Sequence, residues 1–308
     1  MRSMIYRLQD GKILPHGEAP LAPDGRYIGL GSLEASSPLF PCSLPSDLFE
    51  KSLANPATRF ESREGLDVIC LEVWDKRAEL PFSSYRVHLF LQKDRIQVFT
   101  DHLEPVEALI QSLAQDDILD RSFDRFLYAL VAGLYDGDYQ SLNDLENGIA
   151  SIEDDILEGK TRRDYTRQIV SLRKNLRAIK QYYEKGIDVF QDMERNENGF
   201  LDRQAVRSIR ILLGRLDRLY SKVSSIMEYV AELREAYQSQ VDIRLNGIMK
   251  VLTVINIIFL PLTLIVGWYG MNLQMPEYHW TLGYPAVILL CLVVVIGCIR
   301  YFKKRDWF

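Results

Sequence analysis

Hydrophobic and polar positions along this chain follow three successive rhythms. Up to about residue 105 the period is two. Asp67-Val-Ile-Cys-Leu-Glu-Val-Trp74 is rich in strand formers, and Tyr85–Gln92 and Ile96–Thr100 flank a short polar Lys93-Asp-Arg95. Val87, Leu89 and Leu91 alternate with Arg86, His88 and Phe90, and Ile96 and Val98 keep the alternation. The pattern predicts a hairpin with one face on a core. A small α/β domain is therefore expected over 1–105, with the proline-rich 38–45 stretch as loop.

From about 106 to 245 the period becomes helical. Leu145, Ile149, Ile152 and Ile156 step by 4, 3 and 4, and Glu158-Gly-Lys-Thr161 marks a turn. Leu172, Leu176, Ile179, Tyr183, Ile187 and Phe190 form a second stripe, so the two segments read as a helical hairpin with charged outer faces. Asn196-Glu-Asn-Gly199 ends it, and a third helix starts near Leu201. In it Val206, Ile209, Leu213, Leu216, Tyr220, Val223, Met227 and Val230 alternate by 3 and 4. Arg234 breaks that register, and Leu233, Tyr237 and Val241 resume it on a shifted seam. Continued through the next apolar run, the helix would be about 100 Å long at ~1.5 Å per residue. A stalk of that length is expected to self-associate, and Leu216→Asp to weaken the oligomer.

The third rhythm is apolar all round. Val251–Trp268 is an 18-residue run without charge, and Tyr284–Ile299 is a second of 16. Each approaches the length that crosses a hydrocarbon core of roughly 30 Å. Arg244 and Lys250 precede the first run, and Arg300, Lys303, Lys304 and Arg305 follow the second, while the loop between has no Lys or Arg. The positive-inside rule then places both termini in the cytoplasm and 270–283 outside. Trp268, Tyr269, Tyr278, Trp280 and Tyr284 would make the outer aromatic belt, and Tyr301 and Trp307 the inner one.

Composition changes this picture little. The 308 residues carry a net charge of −5 and are 47% hydrophobic, yet Glu277 is the only charged residue between Lys250 and Arg300. An acidic balance without a basic stripe argues against nucleic acid as a partner. Cys42, Cys70, Cys291 and Cys298 form no metal spacing and read as small packing residues. The first residues, Met1-Arg-Ser-Met-Ile-Tyr-Arg7, have no apolar core, so no secretory signal is expected. Gly159-Lys-Thr161 imitates the end of a phosphate-binding loop, but Asp154 stands where its first glycine belongs, which excludes a nucleotide partner. His16, His88, His102 and His279 show no ligand spacing and read as surface or edge residues. No catalytic constellation or organic cofactor site is visible, so the chain is not expected to be an enzyme. Glu153-Asp-Asp155 reads as a solvated helix face, with a divalent-ion contact as the lesser alternative.

The first apolar run carries an unusual stripe. Asn246, Met249, Thr253, Asn256, Leu260, Thr263 and Gly267 step by 3, 4, 3, 4, 3 and 4. Val251, Ile255, Ile258, Leu262 and Ile265 make the opposite face uniformly apolar, which suits lipid or the second span. Small polar residues are common interhelical glue in membranes. A pore face is the other explanation, and because two spans cannot enclose a conduit it requires several chains around an axis.

At the end of that stripe, Tyr269-Gly-Met-Asn272 with Met275-Pro-Glu277 resembles the signature of the CorA-type magnesium channels. The likeness extends to Met249-Lys-Val-Leu-Thr253, Pro261-Leu-Thr263, Gly283-Tyr-Pro285 and the ending Tyr301-Phe-Lys-Lys-Arg-Asp-Trp307. The resemblance implies a homopentamer in a bacterial-type inner membrane, with first spans lining the pore and second spans forming an outer ring. It implies a selectivity filter at Gly270, Met271 and Asn272, with the Asn272 ring outermost and Asn246 near the cytoplasmic mouth. Met249, Leu252 and Leu260 match the family's hydrophobic constriction, and Thr263 and Gly267 its polar pore positions. Glu277 would concentrate cations outside, as charge rings do in cation channels. Mg²⁺ is the expected cargo, with Co²⁺ and Ni²⁺ as further candidates and Mg²⁺ also as a regulatory ion. Members often carry a regulatory carboxylate midway along the stalk; here Ile211 falls at that place, leaving Asp217, Asp154 and Asp155 as weak candidates. The related zinc-transporting branch usually has valine where Met271 stands, so a proton-coupled zinc transporter is the rival on this scaffold. A non-conducting two-span sensor is the rival of another class.

The expected architecture is an α+β membrane protein: an α/β domain (1–105), a helical region with a stalk helix (106–245), a pore-lining span (246–269), an external loop (270–283), a second span (284–300) and a basic tail (301–308).

Overall fold

The computed structural model describes residues 4–9, 12–16, 25–34, 39, 46–77, 81–115, 123–158, 164–271 and 282–305. Its strands are β1 (Met4–Gln9), β2 (Lys12–Pro15), β3 (Arg26–Ser32), β4 (Arg59–Arg63), β5 (Leu66–Trp74), β6 (Ser84–Gln92) and β7 (Arg95–Thr100). They form one sheet in the order β2-β1-β3-β7-β6-β5-β4, antiparallel except where β3 meets β7. The helices are α1 (Ser46–Ala54), α2 (Leu103–Gln115), α3 (Phe123–Leu134), α4 (Asp138–Leu157), α5 (Tyr165–Glu194), α6 (Arg203–Tyr269) and α7 (Gly283–Lys304). The chain divides into two compact units, Met1–Asp155 with Thr161–Glu232, and Ile156–Lys160 with Leu233–Phe308.

In the first unit the β6–β7 hairpin has the register its alternation predicts, with Leu91 opposite Ile96 and Leu89 opposite Val98. The expectation of a single covered face is wrong, because Val87 to Leu91 are all buried. One face packs Val68, Cys70, Phe90 and Phe99 under Phe49 and Leu53 of α1. The other aligns Leu30, Val98, Leu89 and Ile69 across four strands, all of them buried. A sheet covered on both sides has no polar face to show, so alternation understates its burial.

His88 corrects a second expectation. It lies in the row Phe99–His88–Cys70 and is 1% exposed. Burial pulls its imidazole down to about 4, so the ring is neutral near pH 7. Burial likewise pushes the Cys70 thiol up to about 11, and Cys70 Sγ lies 3.5 Å from His88 Nδ1. The pair is a neutral, packed contact.

Two polar anchors tie helices to the sheet. Asp138 opens α4 fully buried, after a turn in which Gly137 has φ 79°. Its carboxylate accepts hydrogen bonds from the hydroxyls of Tyr182 (3.2 Å) and Tyr183 (3.1 Å) and pairs with Lys76 Nζ at 2.7 Å. Burial holds this carboxyl above the usual range despite the Lys76 ammonium. In the turn after α5, the Asn198 amide donates to Ser62 Oγ, the Arg63 carbonyl and Asp67 Oδ1 at 2.6–3.0 Å, fastening that turn to the β4–β5 hairpin.

Helix α6 runs unbroken for 67 residues from Arg203, two residues from the expected start. Its buried seam keeps Ile209, Leu213, Leu216, Val223 and Val230 of the expected one and is displaced toward Leu212, Leu219 and Ile226. Ile209, Leu212, Leu216, Leu219, Val223, Ile226 and Val230 are each at most 3% exposed, whereas Val206, Tyr220 and Met227 are only half-buried. This stripe is buried within the single chain, and Leu216 Cδ1 approaches the Cβ position of Gly186 on α5 to 3.8 Å. The seam therefore needs no second copy to cover it, and Leu216 belongs to the fold of the protomer.

The second unit contains the C-terminal part of α6 and all of α7. Over the 18-residue apolar windows of these two helices, only 6% of residues are buried. Pro261 sits inside α6 and supplies no N–H to the Ile257 carbonyl one turn earlier.

Candidate functional site

The stripe on α6 becomes a surface in three dimensions. Asn256, Leu260, Thr263 and Gly267 line one open groove of about 800 Å³ together with Phe259, Leu264, Trp268 and Met271. Asn246, Met249, Leu252 and Thr253 lie earlier on the same helix, outside that lining. Leu260 is 72% exposed, and Met249 and Leu252 stand out as well. Large apolar side chains exposed in this way mark either a lipid face or a face covered by other chains.

The hydroxyls show how the stripe can handle charge. Thr253 Oγ1 donates to the Met249 carbonyl at 2.7 Å and Thr263 Oγ1 to the Phe259 carbonyl at 2.8 Å. Each hydroxyl spends its single proton on the helix, so its oxygen is left to accept. An acceptor oxygen of this kind can take a hydrogen bond from the water shell of a hydrated cation. Among the described residues, no cluster of three or more His, Cys, Asp or Glu side chains could hold a metal directly.

At the end of α6 the helical hydrogen bonding reaches Gly270. Gly270 N–H donates to the Val266 carbonyl at 2.9 Å, and a Cβ on Gly270 would meet that same oxygen at 3.0 Å. A side chain there would crowd that carbonyl. Met271 follows, 43% exposed. Asn272 and Glu277 lie outside the described residues, as do Tyr278, Trp280 and Trp307.

The three acids named as regulatory candidates are not brought to one place. Asp155 accepts a hydrogen bond from the Tyr165 hydroxyl at 2.9 Å, while Asp154 on α4 and Asp217 on α6 are exposed. Their neighbour Glu153 accepts from the Tyr229 hydroxyl, which pushes that phenol up to about 12. Sequence reasoning missed Phe259, Leu264 and Trp268 in the groove. Each directly precedes or follows a stripe residue, and in a run that is apolar throughout nothing marks them out.

The profile of the family described as CorA-like Mg²⁺ transporter protein matches residues 43–304. The chain belongs to the CorA-like Mg²⁺ transporter family. It is 28% identical over 257 residues to the cobalt/magnesium transport protein CorA of Thermotoga maritima, a match covering 82% of this chain and 72% of that one. The magnesium transport protein CorA of Pectobacterium atrosepticum is 25% identical over 261 residues, covering 80% and 79%. The fold matches the complete CorA magnesium transporter structure from Methanocaldococcus jannaschii at a TM-score of 0.82 and 18% identity, covering 100% of this chain and 99% of that one. CorA-family proteins are membrane proteins, and the two apolar helices, α6 in its C-terminal part and α7, fit the spans. The relatives are named as transport proteins rather than enzymes.

Proposed function

We propose that the chain is one subunit of a homopentameric channel carrying Mg²⁺ into the cell through the inner membrane, with both termini cytoplasmic. The observation that supports this reading is the uncharged stripe on α6, of which Asn256, Leu260, Thr263 and Gly267 line one open groove, with the Thr263 hydroxyl proton spent on the Phe259 carbonyl so that its oxygen is left to accept. Five copies around an axis would enclose what one copy leaves open. The driving force is electrical: a divalent ion gains about 4.6 kcal/mol per 100 mV, from about 2.3 per charge. Glu277 gathers cations at the outer mouth, and the Asn272 ring, with Gly270 and Met271, selects the hydrated ion. Further in, Gly267, Thr263, Asn256, Thr253 and Asn246 offer polar contacts. Leu260, Leu252 and Met249 form an apolar constriction that closes by dewetting. Mg²⁺ is the cargo, with Co²⁺ and Ni²⁺ as further candidates.

The constriction gives a direct test. Leu260→Ser is expected to hydrate the narrow segment and to raise the basal Mg²⁺ leak several-fold in cells loaded with a Mg²⁺ dye, without improving selectivity. Unchanged or reduced flux in an assembled variant would assign Leu260 to lipid or packing. Imposing a pH gradient in the same assay is expected to leave uptake unchanged. Uptake of Zn²⁺ that follows the pH gradient would replace this reading with proton-coupled zinc transport.

A further inference from the structure

A second groove of about 400 Å³ lies within the second unit, lined by Ile257, Gly297, Cys298, Tyr301, Phe302 and Arg305. Most of that lining is hydrocarbon or small, and one end carries a guanidinium. Phe302 is 4% exposed and meets Tyr301 edge-on at 5.4 Å, and the Arg305 guanidinium lies 5.3 Å from the Tyr301 ring centroid. The Tyr301 ring, braced by Phe302, thus holds the cation at the groove. A Cβ on Gly297 would meet nothing within 4 Å, so the glycine leaves an open notch in the wall.

Charge decides what fills it. Arg300, Lys303, Lys304 and Arg305 are all exposed, with no acid among residues 300–305. The same segment of a second copy would bring like charges together, whereas an anion at the end of an apolar channel satisfies both the guanidinium and the hydrocarbon walls. We infer that this groove binds an anionic glycerophospholipid, its phosphate on Arg305 and one acyl chain lying past Cys298 in the Gly297 notch. A soluble anion would leave the apolar walls uncovered. The site rests on the reading of α6 and α7 as membrane spans, which recovery of the protein in the membrane fraction tests separately.

Native mass spectrometry of the detergent-purified full chain, titrated with phosphatidylglycerol or with phosphatidylcholine of the same acyl chains, tests the site. The wild type is expected to retain phosphatidylglycerol preferentially. Arg305→Gln should cut that binding about fivefold, the worth of one cation near an anionic lipid surface, while leaving phosphatidylcholine unchanged. Gly297→Leu should fill the notch and lower the binding of both lipids without altering the subunit count. Equal retention of the two lipids by the wild type, or no loss in Arg305→Gln, overturns the inference. Inorganic phosphate that displaces the lipid would make this a soluble-anion site. Gly297→Leu that dissociates subunits yet keeps phosphatidylglycerol would assign the groove to a second copy of the chain.

Discussion

Replacing Asn272 by alanine is expected to abolish Mg²⁺ uptake at low external concentration. Mg²⁺ dehydrates reluctantly and keeps waters in most protein sites. A ring of neutral amide oxygens can hold the hydrated ion by accepting hydrogen bonds from its shell, attracting it without stripping or trapping it. Conduction needs that compromise, because an ion bound too tightly cannot leave. Hydrogen bonds to charged species contribute about 1.5–3 kcal/mol each, so losing even one should lower low-concentration uptake more than about tenfold. Asn272→Asp should instead raise apparent affinity, reduce throughput and alter selectivity. The competing role for Asn272 is as a cap on the end of α6, for which asparagine is suited. Asn272→Gly separates the two roles, since glycine also suits a helix end but offers no side-chain oxygen. If that variant folds and conducts Mg²⁺ like the wild type in whole-cell uptake, Asn272 is a cap and the filter lies elsewhere.

Leu216→Asp carries the largest expected effect on stability. Leu216 is fully buried in the first unit, near Gly186 of α5. A carboxylate there would be an unpaired buried charge, which costs about 3–5 kcal/mol against the ~5–15 kcal/mol that holds a typical domain. The variant is expected to melt at a much lower temperature and to be cleaved rapidly in limited proteolysis, whether or not it assembles. Ile211 is the control. It is 59% exposed on the same helix, so Ile211→Asp should leave protomer stability within about 0.5 kcal/mol. An unchanged melting temperature for Leu216→Asp would mean that the buried seam of α6 is misplaced.

That seam also shows where periodicity stops being informative. Ile209-Leu213-Leu216-Tyr220 and Ile209-Leu212-Leu216-Leu219 are equally regular 3–4 patterns, and only packing shows that the buried face takes in Leu212 and Leu219 beside Leu213 while Tyr220 is left half-buried. The β6–β7 hairpin was legible because its alternation is clean. Its second buried face was not, because the cover comes from α1, a nine-residue helix with no distinctive pattern. His88 looked polar on paper and is buried because its row lies under that helix. Asn198 and Asp67, 131 residues apart, and Asp138 with Tyr182 and Tyr183 are long-range polar contacts that no local spacing announces. The stripe from Asn246 to Gly267 stands out in sequence as polar residues at helical spacing in an uncharged run, and four of its members, Asn256, Leu260, Thr263 and Gly267, share one groove, while Asn246, Met249 and Thr253 lie outside it. The groove it shares with Phe259, Leu264 and Trp268 depends on side-chain directions that spacing does not encode.

Mg²⁺ flux into proteoliposomes tests the central claim most directly. The purified chain, reconstituted with a Mg²⁺-sensitive dye inside and a K⁺ diffusion potential imposed inside negative, is predicted to admit Mg²⁺ at a rate that rises with the potential and needs no nucleotide. Liposomes containing the protein that take up Mg²⁺ no faster than empty ones under the same potential would contradict the account and leave a membrane-anchored protein that does not conduct.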